Sequence, residues 1–182
     1  MSSKNTYRNW LKQDLGSLID ALDITDLQKH FLHSRWLDQV LWMEGKADHA
    51  QKRHNLLRLT AIVGGVIVPS LVSLNISSEG TMVVIRWLTF AISLLVAISV
   101  AVEEFFHYGE RWRHYRRSVE SLKIEGWEFF QRSGTYQSFN DHSSAYPAFA
   151  AKVEDILRHE VDVYITEVVK EKKKKEDEDQ GR

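Results

Sequence analysis

The sequence has no cysteine, which removes disulfides, thiolate nucleophiles and cysteine zinc sites together and leaves the redox compartment unspecified. It has two prolines and nine glycines in 182 residues, too few turn formers for a β protein, and the shortage favours helices. It carries almost no net charge, −1 at pH 7, so the chain as a whole does not read as a nucleic-acid binder. Catalytic signatures are missing as well. There is no Gly-x-Ser-x-Gly elbow and no His-Glu-x-x-His motif, and Gly64-Gly65 precedes no phosphate-loop lysine. Eight histidines invite a metal centre: His30 and His33 stand three apart, and Glu110 and His114 four apart. Glu104 and His107 make a single Glu-x-x-His unit, where a di-iron bundle needs two. The expectation is no enzyme, no cofactor and no metal.

What the middle of the chain lacks is more telling. Two blocks contain no charge: LTAIVGGVIVPSLVSL (59–74) and WLTFAISLLVAISVAV (87–102). Extended to about 56–74 and 83–103, each reaches the length of a membrane span, roughly 28 Å of helix at 1.5 Å per residue. Arg58 and Arg86 would snorkel outward, with Trp87 at interface depth. Two core helices of a soluble protein are the alternative. A signal peptide is excluded by position, because more than fifty residues of charged, helix-patterned sequence precede the first block. The short linker NISSEGT requires an antiparallel hairpin and contains an Asn75-Ile76-Ser77 glycosylation match. Lys52, Arg53 and Arg58 lie before the first span, and Arg111, Arg113, Arg116 and Arg117 after the second. That asymmetry predicts a multi-pass protein of the cell membrane with both termini in the cytoplasm.

The fold expected is therefore all-α: an integral membrane hairpin of two transmembrane helices, with long cytoplasmic helical extensions and a C-terminal amphipathic helix. Residues 1–25 hold an amphipathic helix, with Tyr7, Leu11, Leu15, Leu18 and Leu22 at helical spacing. Thr25 or Asp23 caps the next helix. Residues 26–134 form the hairpin with its extensions, each helix passing unbroken from cytoplasm into membrane and the second ending at Gly134. Residues 135–170 carry the last helix, starting near Pro147, and 171–182 are a charged tail with nothing to bury, either disordered or a frayed helix end.

Glu103 and Glu104 abut the inner end of the second block. On a wheel of 100° per residue, Arg86, Thr89, Ser93, Ala97, Val100, Glu104 and His107 share one face, with Glu103 at its edge. Leu88, Leu95, Ile98 and Phe105 occupy the other. The face reads either as a water-filled path with charge at both ends or as close helix packing through Ser93, Ala97 and Ala101. Glu103 has His107 or an arginine of the first helix as candidate partners. In the first span, Pro69 cannot donate to the carbonyl of Gly65, so a kink is expected there. The run RWRHYRR (111–117) mixes arginines with aromatics, as single-strand nucleic-acid surfaces do; its place below a span points instead to topology and anionic headgroups.

Arg35-Trp36, Gln39 and Trp42 precede the first span. Trp112, Tyr115-Arg116, Glu120, Leu122-Lys123, Glu125 and Gly134-Thr135-Tyr136 follow the second. In this order around a two-span hairpin, over roughly residues 30–165, the motifs resemble the SLATT group of SMODS- and SLOG-associating two-transmembrane effectors. The resemblance implies a pore-forming membrane effector of prokaryotic conflict systems, often beside enzymes that make or sense nucleotide signals, and carries no catalytic residues. A single hairpin cannot enclose a channel, so the function expected is a homo-oligomeric, cation-permeable pore gated from the cytoplasmic side. Its partners would be the lipid bilayer, inorganic ions and a cytoplasmic regulator, with no nucleic acid. The alternative is a non-conducting membrane anchor whose cytoplasmic helices bind a partner protein.

Overall fold

A computed structural model describes the backbone of residues 3–74 and 79–180 and the side chains of 6–74 and 80–161. The described residues are helical throughout, with short turns and no strand. The helices are α1 (Ser3–Ala21), α2 (Asp26–Phe31), α3 (Asp38–Val72), α4 (Glu79–Phe106), α5 (Tyr108–Gln131) and α6 (His142–Gln180). A π-helical segment, Leu32–Leu37, joins α2 to α3, and a 3₁₀ turn, Gly134–Tyr136, lies between α5 and α6. The Asn75-Ile76-Ser77 match falls outside the described residues. The chain divides into two compact units, Met1–Glu44 with Arg116–Arg182, and Gly45–Tyr115. The boundary falls within α3 and α5, inside the 26–134 segment.

The first unit is built around Trp36. Of the expected face of α1, Leu11 and Leu15 are buried, Leu18 and Leu22 half-buried and Tyr7 exposed, while Ile19, outside that series, is fully buried. Thr25 caps α2 through a capping box: its hydroxyl accepts from Gln28 N, and its own N–H donates to Gln28 Oε1 at 2.9 Å. The π-type bond from Asp38 N–H to the His33 carbonyl closes the segment that carries Trp36. A Cβ at Gly126 of α5 would stand 2.1 Å from Trp36 Cζ2, so only glycine lets the indole lie on that helix. The indole N–H donates to the Leu122 carbonyl at 2.9 Å, satisfying the polar atom of the buried ring. Phe129, Tyr136 and Phe149 complete the core, with Phe129 and Phe149 stacked at 4.4 Å.

Three helix boundaries differ from expectation. The helix through the second apolar block does not pass unbroken into α5: it stops at Phe106, and His107 adopts a left-handed φ of 50°. α6 begins at His142, five residues before Pro147, because Asp141 caps it by accepting from Ser144 N at 2.7 Å. Pro147 lies inside that helix, which costs one backbone bond. Helical backbone also continues through most of the charged tail, to Gln180.

Candidate functional site: the apolar hairpin and its junction

The second unit begins from a simple imbalance: its two helices have far more apolar surface than they bury. Both are long and apolar enough to cross a membrane, and only 6% of either apolar window is buried. A core helix in a water-soluble fold buries most of such a window. The burial that exists is ordered. In α3 it runs through His54, Leu57, Ala61, Gly64, Val68 and Leu71; in α4 through Met82, Ile85, Thr89, Ile92, Val96, Ser99 and Glu103. Both series alternate steps of three and four residues, which is the a/d period of a coiled-coil seam. Two contacts give the antiparallel register: His54 with Glu103, and Gly64 with Val96 and Ile92. A Cβ on Gly64 would lie 2.2 Å from Val96 Cγ2, so this glycine sets how closely the helices approach.

The residues picked out in the sequence divide around this seam. Arg86, Ala97, Val100 and Glu104 are exposed, on the strip beside it. Thr89 is half-buried in the seam and Ser93 half-buried at its margin, and each hydroxyl donates at 2.8 Å to a carbonyl one turn back, of Ile85 and Thr89. Ala97 and Ala101 are exposed, so the small-residue spacing is not what packs the hairpin. Gly65 has open space where a Cβ would stand, and α3 stays helical through Pro69 to Val72. Around that proline, Ser70 and Ser73 donate to the carbonyls of Val66 (2.9 Å) and Pro69 (2.8 Å).

Glu103 lies in the seam, not on the exposed strip. Its Oε1 meets His54 Nδ1 at 2.6 Å and accepts the Gly109 N–H at 3.1 Å. Neither His107 nor an arginine of the first helix is the partner found. The break at His107 explains the substitution: its left-handed φ interrupts the helix between α4 and α5 and lets the Gly109 N–H reach the Glu103 carboxylate, with Gly109 buried there. A Cβ on Gly109 would press on the His54 ring at 2.8 and 2.9 Å. Trp112 of α5 stacks on this histidine, with centroids 6.4 Å apart. Glu103 Oε2 is buried with no donor within reach. Because α4 ends at Phe106, the wheel phase that put His107 on the Arg86 face does not extend to it.

A second polar cluster belongs to the first unit. The buried Glu44 carboxylate receives Lys123 Nζ and Arg116 Nη1, each at 2.9 Å, and Glu120 approaches the same cations from the rim. Burial alone would lower the pKa of the Lys123 ammonium, but the hydrogen bond and charge of Glu44 outweigh it and the net shift is upward. Nearby, the Tyr136 hydroxyl donates to the buried Glu125 carboxylate, and burial followed by that bond pushes the phenol's pKa upward. Among the described residues no group of three or more His, Asp or Glu side chains could hold a metal ion.

Sequence reasoning missed His54, Gly64, Gly109 and Glu44. The 3-4 spacing that ends on His54 and on Glu103 is legible in the sequence once a seam is sought; the role of Gly109 is not, because it depends on the break before it. Residues 38–144 match the family described as Protein of unknown function (DUF4231), and the chain belongs to that family. No curated protein and no solved structure matches the chain.

Proposed function

We propose that this member of the DUF4231 family is a small integral membrane protein whose hairpin, α3 with α4, spans the cell membrane with both termini in the cytoplasm. Copies of the chain would associate into a cation-permeable pore gated from the cytoplasmic side, in keeping with the SLATT-like order of its motifs. The observation that carries the reading is the strip Arg86–Ala97–Val100–Glu104, which the hairpin's own seam leaves exposed. In lipid, small and polar side chains on such a strip gain by facing another helix or water. Lengths agree: from His54 to the end of α3, and from Arg86 to Glu103, the rise is about 26 Å, close to a hydrocarbon core. With Glu103 engaged by His54, Glu104 alone supplies the acidic ring at the inner mouth.

Planar-bilayer recordings of purified protein test this. Cation-selective conductance is expected, and Glu104→Lys should reverse or abolish the selectivity. Silence under every trigger tried, or selectivity indifferent to Glu104→Lys, would sink the pore. The well-packed core around Trp36 favours a second reading, a non-conducting anchor whose cytoplasmic helices bind a partner. Under it, an unrelated two-span hairpin replaces residues 56–103 without loss of activity.

A further inference from the structure

The second unit presents more positive charge beside its junction than its own ion pairs consume. Lys52, Arg53 and Arg58 on α3, and Arg111 and Arg113 on α5, are exposed and make no hydrogen bond or ion pair among the described residues. The contact of His54 with Trp112 brings these stretches of α3 and α5 to one level, with Lys52 and Arg53 adjoining His54, Arg58 one turn on, and Arg111 and Arg113 adjoining Trp112. Only Glu104 and Glu110 are exposed carboxylates in this zone; Glu103 is occupied by His54 and Gly109, and Asp48 has a partner of its own. A rim of aromatics borders the cations on the apolar side. Phe105 is 73% exposed, and Phe106 stacks on Tyr108 at 5.3 Å.

Such a collar has two natural occupants, an anionic membrane surface or a nucleic-acid strand. The second needs free rings for base stacking, but Trp112 is half-buried against His54 and Tyr115 is half-buried as well. The exposed rings are Phe105 and Phe106, at the end of the apolar helix, where interfacial aromatics of membrane proteins sit. Guanidinium groups one step further out then meet the phosphate layer, which they match in charge and geometry.

We propose that the collar Lys52–Arg53–Arg58–Arg111–Arg113 is a site for the headgroups of anionic lipids in the inner leaflet, and that these lipids brace the His54–Glu103–Gly109 junction. This rests on the membrane reading above. The full-length protein in neutral detergent is offered phosphatidylglycerol or phosphatidylcholine, with retained lipid read by native mass spectrometry and thermal stability in parallel. Phosphatidylglycerol should be retained preferentially and should raise Tm. Each neutralised cation should weaken its retention about fivefold. The pair Arg111→Gln/Arg113→Gln tests one helix and Lys52→Gln/Arg53→Gln the other, so a folding defect in one leaves the second informative. Equal retention of phosphatidylcholine, preference unchanged in both pairs, or equal protection by inorganic phosphate or a single-stranded oligonucleotide would overturn the site. Alkaline carbonate extraction of vesicles separates the two levels. Release of the protein refutes the membrane reading itself; retention without headgroup preference refutes only the lipid site.

Discussion

At the residue scale, Gly126 and Tyr136 carry the sharpest consequences. Gly126→Ala drives a methyl into Trp36, and overpacking of this kind costs about 1–3 kcal/mol; chemical denaturation of the purified protein should show it, with partial relief in Trp36→Phe/Gly126→Ala. Tyr136→Phe leaves the buried Glu125 carboxylate without its donor, worth about 1–3 kcal/mol at neutral pH. The same residue governs alkaline stability. The folded pKa values of Tyr136 and Lys123 both lie above their unfolded values. Their contribution is therefore whole below about pH 10 and lost as pH rises through the folded values. A Tm profile should fall on the alkaline side, and Tyr136→Phe should flatten that fall; an unchanged slope would remove Tyr136 as its cause. The Glu125–Tyr136 pair was within reach of the sequence only as two members of a motif, because nothing in spacing tells that a carboxylate eleven residues before a tyrosine will be buried beside it.

At the element scale, the hairpin depends on its glycines. Gly64→Leu should separate α3 from α4 at their closest approach, whereas Gly65→Leu, one position on, meets open space. Helix proximity measured by crosslinking between the two apolar helices should drop for the first variant and hold for the second. Gly109→Ala should displace His54 and loosen its bond to Glu103, with His54→Ala restoring room for the methyl but not the bond. The elements themselves were legible: both apolar helices, the amphipathic α1 and the Thr25 cap follow from periodicity and capping chemistry. The break at His107 was not. No proline or glycine occupies position 107, and a non-glycine residue with positive φ is held by what surrounds it, here the Glu103–Gly109 bond across the turn. The exposed strip on α4 was legible as a pattern, but which of Glu103 and Glu104 belonged to it was decided by a histidine about fifty residues upstream.

At the scale of the whole molecule, the two units differ in how much of their apolar surface they cover. The first unit closes over its aromatic core; the second leaves nearly all of its apolar windows uncovered. Dilution into detergent-free buffer should accordingly cause aggregation through the hairpin while the Trp36 core stays folded, seen as light scattering without loss of the buried-tryptophan fluorescence. Scattering accompanied by loss of that fluorescence would mean that the units do not fold independently. The tie between His54 and Glu103 also has a meaning across lineages. One oxygen serves two donors from different helices, and the second sits beside the first only because position 109 has no side chain to strike the His54 ring. Change at any one of the three strands the other two, so drift here has to proceed in concert. In aligned members of the family, positions 54, 103 and 109 should be inherited as a set, exchanged together or kept together, while neighbouring Glu104, exposed and outside the tie, varies independently of them.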